Sequence, residues 1–214
     1  MKFAIGIPTL NRYDLLKPSL MLYLQRDFPT IDIFIMDNGK QGIVNDFPKV
    51  KFLEHPFIPN EVCDSVACSW NVLCKTIFEK HENALILNDD IYLGSNTAQI
   101  EAIMNKKKNK GSLILPTPDW CAFIISKKIY ENIGNFDEQF TPAYYEDKDY
   151  EYRMKLAGIS IIRTPELNPF VYNSSKTLEK NPLILEESKK NKQRYINKWG
   201  GEPNQEKYKT PYGK

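Results

Sequence analysis

The 214-residue sequence has only two histidines and four cysteines, and no two cysteines form a C-x-x-C pair. Because structural zinc sites are usually built from such pairs or from clustered histidines, no zinc centre is expected. Three of the cysteines, Cys63, Cys68 and Cys74, fall on one predicted helix. This clustering favours buried thiols in a reducing compartment over a disulfide framework.

Long apolar runs and strong net charge are also missing. No apolar run reaches the roughly 18 residues that a membrane span needs, and the N-terminal run Phe3–Ile7 is too short for a secretory signal. The formal net charge is only +2, which gives no broad field for nucleic acid. We therefore expect no transmembrane segment, no nucleic-acid partner and a cytoplasmic location.

Glycine-rich phosphate loops are absent. None of the ten glycines fits G-x-G-x-x-G or G-x-x-x-x-G-K-[ST], so neither a standard dinucleotide fold nor a P-loop NTPase is predicted. Hydrophobic residues make up 42% and charged residues 26% of the chain, as in an ordinary globular domain with a sizeable core.

Short apolar runs alternate with helical periods, which predicts βαβ units and an α/β single domain with a mainly parallel central sheet flanked by helices. The predicted strands are Phe3–Ile7, Ile31–Met36, Val50–Leu53, Ala84–Leu87, Leu113–Leu115 and Ala122–Ile125. The predicted helices follow Asn11 or Asp14 and span Glu61–Lys80, Thr97–Lys107, Asp147–Ala157 and the segment from Pro182 to Trp199. Residues 1–173 form the predicted main domain. Residues 174–214 carry ten basic and five acidic residues, and form a predicted basic helix with a loose tail.

The first informative cluster is Asn88-Asp89-Asp90, directly after a buried strand. Ligands of open α/β sheets bind at the carboxyl ends of strands. Adjacent carboxylates there repel each other, and a divalent cation relieves the repulsion. A polar turn after the strand is an equally good explanation of these three residues on their own.

A second acidic cluster, Glu146-Asp147-Lys148-Asp149, stands where a helix begins. Carboxylates are common at helix N-termini because of the helix dipole. Asp149 and Arg153 are spaced for an i, i+4 ion pair, whereas Asp147 points another way. One carboxylate is therefore free to face a cleft while the other serves the structure.

Two further strand ends carry polar residues. Ile7-Pro8-Thr9-Leu10-Asn11-Arg12 follows the first strand, and Asp37-Asn38-Gly39 follows the second. Each pattern alone is typical of turns. Together with the acidic clusters they are expected to meet, because parallel strands end at one edge of a sheet.

In this order the motifs resemble those of family 2 of the inverting glycosyltransferases, which have the Rossmann-like GT-A fold. The resemblance covers Lys2 to about Gly158 and rests on I-P-T-x-N-R, M-D-N-G, S-W-N, N-D-D and E-D-K-D-Y-x-x-R. The last motif is the most specific. The short chain is similar to small stand-alone or virus-encoded members, which would place it in an infected host cell.

The resemblance implies inverting transfer of a sugar from a UDP-sugar to a hydroxyl of a glycan or glycoprotein, helped by Mn²⁺ or Mg²⁺. It implies that Asp147 is the general base and that Glu146 binds the acceptor or the donor sugar. It also implies that Asp89 and Asp90 hold the metal. The residues implied to contact the nucleotide-sugar are Pro8, Thr9, Asn11, Arg12, Asp37, Asn38, Asn71, Asn88 and Asp89. Trp120 is a candidate for stacking on a sugar, with core packing as the alternative.

Departures from the family pattern keep other functions open. Trp70 stands where many members have Arg, and no histidine follows His81. The basic C-terminal segment is either a solvated helix and tail or a source of cations for the diphosphate. A non-catalytic sugar-nucleotide or glycan-binding module remains an alternative, as does a sugar-phosphate nucleotidyltransferase. The sugar, the acceptor and the oligomeric state are left open.

Overall fold

A computed structural model describes residues 3–25, 31–39, 47, 50–54, 65–93, 97–107, 113–115, 120–164, 171–173 and 183–214. Its strands are β1 (Ala4–Thr9), β2 (Ile33–Asp37), β3 (Lys51–Glu54), β4 (Asn83–Leu87), β5 (Ile91–Leu93), β6 (Leu113–Leu115), β7 (Ala122–Ser126), β8 (Ile161–Arg163) and β9 (Val171–Asn173). Its helices are α1 (Tyr13–Gln25), α2 (Val66–Phe78), α3 (Thr97–Lys107), α4 (Lys127–Ile133), α5 (Glu146–Leu156) and α6 (Leu183–Trp199), followed by a 3₁₀ turn at Pro211–Gly213.

Seven strands form one mixed sheet in the order β3-β2-β1-β4-β7-β6-β8, and β5 pairs with β9 in a separate ribbon. The β1–β2, β1–β4, β2–β3 and β6–β8 pairs are parallel, whereas β7 is antiparallel to both β4 and β6. The predicted mainly parallel α/β sheet is confirmed. Its parallel strands all end at the same edge, which is where a ligand site is expected.

Alternate residues of the central strands supply two cores, one on each face of the sheet. Ile5, Ile7 and Leu85 pack with Leu16 and Leu20 of α1 on the first face. Ala4, Phe34 and Ile86 pack with residues of α2, α4 and α5 on the second. This is the period-two pattern of strands buried on both sides. The two covered faces leave the strand ends as the open part of the sheet.

The C-terminal segment packs on α5. Tyr195 and Trp199 of α6 are fully buried against Phe140 and Tyr152. The following residues are also held, because the backbone amides of Lys207 and Tyr208 donate 3.0 Å hydrogen bonds to the Trp199 carbonyl. We expected a loose tail, but its residues 207 and 208 are held by backbone hydrogen bonds to the end of α6, while residues 209–214 are exposed.

The first strand runs further than its composition indicated. We expected Pro8 to end it, but β1 continues to Thr9 and pairs with β2 over Ile5–Thr9. Pro8 lies beyond Gly6, the last residue of β1 that pairs with β4. The missing proline N–H is tolerated at such a position because the neighbouring strand has left the ladder.

The prediction that the cysteines are buried free thiols is confirmed only in part. Cys74 and Cys121 are buried free thiols, as predicted. Cys68 is disulfide-bonded, so the thiol prediction is wrong for this residue. The cysteines consequently no longer argue for a reducing compartment.

The sequence did not predict β5, β8, β9 or α4. The first three are three-residue strands without a periodic pattern, and α4 follows β7 without any intervening loop. Residues 61–64 of the predicted second helix, residues 116–119 before Trp120, and residues 174–182 of the basic segment lie outside the described part of the chain. Among the helices that the structure describes, none is both long and apolar enough to cross a bilayer.

Candidate active site

The ends of β1 and β2 lie side by side. Thr9 is in register with Asp37, and the Asn38 amide donates a 3.0 Å hydrogen bond to the Thr9 carbonyl. The turns beyond them also touch, since a Cβ atom on Gly39 would lie 2.8 Å from the Asn11 nitrogen and would clash with its Oδ1. Glycine is needed there because only a bare backbone fits against Asn11.

A buried hydrogen bond joins β1 to the acidic turn after β4. The Thr9 hydroxyl donates to Asp89 Oδ2 at 2.8 Å. Asp89 and its neighbour Asp90 are both buried. Burial raises the pKa of Asp89 to about 7, the Thr9 hydrogen bond opposes the rise, and the Asp90 charge adds to it. The pair is thus a concentrated negative site that a cation would relieve.

Arg12 supplies positive charge next to this turn. Its guanidinium is buried, and its Nε donates to Asp14 Oδ1 at 3.2 Å. The charge of Arg12 also lowers the pKa of Asp89, although burial outweighs it. The first strand end therefore brings a cation as well as a hydroxyl to the two aspartates.

Asn38 presents an unpartnered acceptor. Its Nδ2 donates to Ser69 Oγ at 2.9 Å, whereas its Oδ1 is buried and has no hydrogen-bond partner. Asp37, which is buried, accepts a 3.1 Å hydrogen bond from the Gly39 amide. Because an unpaired buried acceptor costs about 1–3 kcal/mol, the Asn38 oxygen is suited to receive a donor from a bound molecule.

The second acidic cluster opens α5 as predicted, one residue earlier than expected. Glu146 is buried and its Oε2 has no hydrogen-bond partner. Burial, with a contribution from the Asp147 charge, raises the pKa of Glu146 well above its ordinary value. Burial also raises the pKa of Asp147, whose Oδ1 accepts a 2.8 Å hydrogen bond from the Lys148 amide.

The backbone is strained directly before these carboxylates. Tyr144 and Tyr145 have φ values of 74° and 75°, and Tyr145 caps α5 without a side-chain hydrogen bond. Left-handed backbone at residues other than glycine costs about 1–3 kcal/mol each and is concentrated at functional sites. The Tyr145 carbonyl still accepts the first helical hydrogen bond, from the Asp149 amide at 2.9 Å.

Tyr144 connects the two acidic clusters. Burial raises the pKa of its hydroxyl, and the charges of Glu146, Asp147 and Asp90 raise it further. The start of α5 and the turn after β4 therefore act on one phenol, although 56 residues separate Asp90 from Glu146 in the numbering. The two clusters therefore lie within electrostatic reach of the same hydroxyl.

Asp149 has the structural role that its spacing predicted. It is fully buried, and Arg153 donates to its Oδ2 at 2.9 Å. Its Oδ1 receives Trp199 Nε1 at 2.8 Å and Lys198 Nζ at 2.6 Å, both from α6. Asp147, by contrast, keeps 23% of its side chain exposed. Asp149 is therefore engaged in structural contacts, whereas Asp147 remains accessible from outside the protein.

Two predicted site residues are used elsewhere. The side-chain amide of Asn71 makes four hydrogen bonds within the protein. Its Nδ2 donates to the Phe136 carbonyl (2.9 Å) and to Glu138 (2.7 Å). Its Oδ1 accepts from Tyr130 (3.2 Å) and from the Phe136 amide (2.8 Å). These contacts do not support the expectation that Asn71 faces the nucleotide, because an amide that makes four hydrogen bonds has none left for a ligand.

Trp120 is likewise a core residue. It is buried, its ring lies 6.4 Å from that of Trp70 and 5.0 Å from that of Phe123, and its Nε1 donates to Glu151 at 2.8 Å. No ring face is left for a sugar. Of the two interpretations of this residue, core packing is the one that the contacts support.

Asn88 and Pro8 flank the site through their backbones. The Asn88 amide donates to the Cys121 carbonyl at 2.9 Å, and its carbonyl accepts from the Ile91 amide at 3.2 Å, which forms the turn that carries the two aspartates. Pro8 precedes Thr9 in β1 and is half-buried. Nucleotide contacts by these two residues stay predictions.

The donor set suits a cation that is shared with a substrate. In the part of the chain that the structure describes, no three His, Cys, Asp or Glu side chains converge on one metal position. Mg²⁺ and similar ions commonly take one or two carboxylates from the protein and the remaining ligands from substrate phosphates and water. Asp89 and Asp90 fit that arrangement, and a cage made by protein alone is not supported.

Sequence reasoning overlooked the left-handed backbone at Tyr144 and Tyr145 and the contacts of α6. Nothing in the Tyr144-Tyr145 pair signals two left-handed residues, because tyrosine has no preference for that conformation. Lys198 and Trp199 read as parts of a solvated basic helix, and only the fold brings them to Asp149. Their composition carried no signal of a buried contact.

Solved structures of glycosyltransferases share this architecture. GalNAc-T7 with UDP, GalNAc and Mn²⁺ matches 93% of this chain and 49% of its own at 11% identity, with a TM-score of 0.69. TarS of S. aureus, residues 1–349, matches 90% of this chain and 69% of its own at 16% identity, with a TM-score of 0.62. The mannosyltransferase PcManGT of Pyrobaculum calidifontis, with GDP-Man and Mn²⁺, matches 78% and 55% at 12% identity, with a TM-score of 0.57.

These likenesses establish a GT-A-like fold. No protein-family model and no curated protein matches the sequence. The chain spans about half the length of GalNAc-T7 and PcManGT. Because a fold hosts many chemistries, the function has to be argued from the site.

Proposed function

We propose that this protein is an inverting glycosyltransferase of the family 2 type. It transfers a sugar from a UDP-sugar to a hydroxyl of a glycan or glycoprotein acceptor. The observation that carries the proposal is the joint action of Asp90, Glu146 and Asp147 on the Tyr144 hydroxyl. Two acidic clusters that are far apart in the sequence thus lie within electrostatic reach of one hydroxyl, and a displacement needs both a base and a group that neutralises the leaving diphosphate.

Asp147 is the proposed general base. An acceptor hydroxyl is a poor nucleophile and must lose its proton as it attacks the anomeric carbon. The Asp147 carboxylate is partly exposed, so an acceptor can reach it. Its raised pKa makes it a stronger base than an exposed aspartate. The proton moves to a carboxylate oxygen of Asp147 while the bond from the sugar to the diphosphate breaks.

Glu146 is proposed to bind a sugar hydroxyl. Its Oε2 is buried without a partner, and burial raises its pKa, so it holds a proton more readily than an exposed glutamate does. A protonated carboxyl both donates and accepts hydrogen bonds. It therefore suits a sugar better than a metal, and it complements rather than duplicates the neighbouring base.

The nucleotide is proposed to lie across the ends of β1 and β2. The unpartnered Asn38 oxygen accepts an N–H of the base, and Asp37 accepts a hydroxyl or an N–H. Arg12 supplies the positive charge that lowers the pKa of Asp89, and it is proposed to act on the diphosphate as well. Asn11 and Thr9 line the same edge. Uridine is the expected base from the family resemblance.

Asp89 and Asp90 are the proposed holders of a divalent cation, Mn²⁺ or Mg²⁺. Such an ion would neutralise charge on the departing nucleoside diphosphate. The chain's own contribution is to concentrate two buried carboxylates beside the strand end and to fix one of them through Thr9. The neighbours GalNAc-T7 and PcManGT were solved with Mn²⁺.

The test is product analysis with the purified chain. A panel of UDP-sugars is incubated with hydroxyl acceptors and Mn²⁺, and released UDP is measured. The expected result is release of UDP with at least one donor, and a product of inverted anomeric configuration by NMR. Release of pyrophosphate in place of UDP would indicate nucleotidyl transfer. Binding of UDP without any turnover would indicate a non-catalytic module.

A further inference from the structure

The carboxylates at the start of α5 follow a backbone segment whose conformation is unfavourable without tertiary contacts. Tyr144 and Tyr145 both have left-handed backbone, and α5 has no side-chain N-cap. A segment in this conformation persists only when its surroundings fix it. The contacts that hold the Tyr144-Tyr145 segment therefore also set the positions of Glu146 and Asp147.

One side chain of α6 clamps this segment. Asn191 is completely buried, and its Nδ2 donates to two carbonyls, Thr141 at 3.1 Å and Ala143 at 2.9 Å. These carbonyls flank Pro142, whose own carbonyl accepts a 2.9 Å hydrogen bond from the Val66 amide at the start of α2. Three successive carbonyls before the strained pair are thus held from two helices.

The orientation of the Asn191 amide is fixed by a neighbour. Arg194, one turn further along α6, donates to Asn191 Oδ1. A guanidinium only donates hydrogen bonds, so it must face the amide oxygen and leave both N–H groups for the carbonyls. The sequence hides this arrangement, because Asn191 stands in a Lys-rich stretch of helix.

Other residues of α6 also hold this helix in place. Lys198 bridges Asp149 and Asp137 at 2.6 Å and 2.7 Å, and Trp199 donates to Asp149 at 2.8 Å. These contacts reach Asp149 inside α5 and Asp137 in the segment before it, not the backbone of residues 141–143. Asn191 is the α6 residue whose hydrogen bonds reach the backbone that leads to the reacting carboxylates.

From this geometry we propose that Asn191 is a positioning residue, which sets the place of Glu146 and Asp147 through the 141–143 backbone. The proposal rests on the proposed transferase function. It adds that the C-terminal helix, beyond the segment that resembles the family, completes the catalytic geometry without touching the substrate.

The main variant is Asn191→Asp, which keeps the shape of the side chain and removes both donors. Arg194 still pairs with the new carboxylate, so the buried charge is not left alone. Since small misplacements of a catalytic group cost up to about a hundredfold, we expect kcat to fall about tenfold or more. UDP affinity, measured by calorimetry, should stay within about twofold, because the interaction lost acts on the transition state alone.

Hydrogen exchange supplies a readout that does not depend on activity. Protection of the Val66 and Asp149 amides, which bond to the 142 and 145 carbonyls, should fall in Asn191→Asp. Asn191→Ser keeps one hydroxyl donor and should recover part of both kcat and protection. Asn197→Asp, the same exchange on the exposed face of α6, is the matched control and should change neither.

Tyr152→Phe is the control for general loss of stability, because it removes only the 2.8 Å hydrogen bond from the Tyr152 hydroxyl to the Tyr208 carbonyl. A wild-type kcat in Asn191→Asp would overturn the positioning role and leave the proposed function intact. The same would follow if Tyr152→Phe lowered kcat as much. If the unmodified chain releases no UDP from any donor, the proposed function falls and the positioning role with it.

Discussion

The hydroxyl of Thr9 donates a 2.8 Å hydrogen bond to Asp89 Oδ2, and this buried bond ties the end of the first strand to the acidic turn after β4. Thr9→Val keeps the side-chain shape and removes the donor. Leaving Asp89 short of a donor should lower the free energy of unfolding by about 1–3 kcal/mol in metal-free buffer. Urea unfolding measures this, with Thr76→Val at a half-buried position of α2 as the control. Equal stability of the two variants would contradict the prediction.

Asp147→Asn should remove most of the transfer activity. The amide cannot take a proton from the acceptor, and positioned bases contribute about 10²–10⁴-fold to rates. UDP release with acceptor present measures turnover, and calorimetry should find UDP binding unchanged. Asp32→Asn is the matched control, because Asp32 pairs with His81 at 3.0 Å before the start of β2. Full turnover in Asp147→Asn would remove the proposed base.

Asp90→Asn should weaken the binding of UDP in the presence of Mn²⁺ but not in its absence. The ion would be shared between the carboxylates and the diphosphate, so removing one carboxylate weakens the binding of the ion and, through it, the binding of UDP. Calorimetry with Mn²⁺ and with EDTA separates the two conditions. Equal losses in both would mean that Asp90 contacts the nucleotide directly. No metal dependence in the unmodified chain would contradict the cation site.

Glu146→Gln should stabilise the protein at neutral and higher pH. Burial, together with the Asp147 charge, raises the pKa of Glu146 in the folded chain. The folded state then binds the proton more tightly than the unfolded state, so its stability falls as the pH rises from the ordinary value of 4.5 through the raised pKa. Glutamine removes this loss. The gain in Tm should be present at about pH 8 and absent near pH 4.

The control for this pH dependence is Glu131→Gln, because Glu131 is exposed on α4. Its Tm should follow that of the unmodified chain across the same pH range. A constant difference between Glu146→Gln and the unmodified chain at every pH would contradict the raised pKa of Glu146.

Asn71→Ala should act on stability rather than on the nucleotide. Asn71 makes four hydrogen bonds to the 136–138 segment and Tyr130. At about 1 kcal/mol for each bond lost, the free energy of unfolding should fall by roughly 3–4 kcal/mol. Below the unfolding temperature, UDP affinity should stay unchanged. Weaker UDP binding without loss of stability would restore the nucleotide role that the family resemblance implied.

The positions of the strand-end motifs were predictable because they depend on chain order alone. Apolar runs followed by Thr9, Asp37 and Asp89 read as buried strands that end in polar turns, and parallel strands must end at one edge. The i, i+4 pair of Asp149 and Arg153 was predictable for the same reason, since helical spacing is local. The mainly parallel α/β sheet follows from these local patterns, whereas its GT-A-like form was implied by the family resemblance.

Side-chain partners were not predictable. Trp120 and Asn71 each suited a ligand by residue type, yet both are buried and bonded within the core. The same chemistry that recognises a sugar or a nucleotide also satisfies the interior of a protein. Whether such a residue binds a ligand or packs in the core depends on neighbours that are distant in the chain.

By itself, the sequence determined the alternation of elements, the parallel edge and the acidic residues that stand there, because periodicity and turn chemistry act over a few residues. Only the tertiary structure decided that Asp90 and Glu146 act on the same tyrosine, and that Asn191 from the last helix holds the backbone before α5. Such contacts join segments about 50 residues apart, and they exist only where close packing of the whole chain brings the groups within hydrogen-bonding or electrostatic reach.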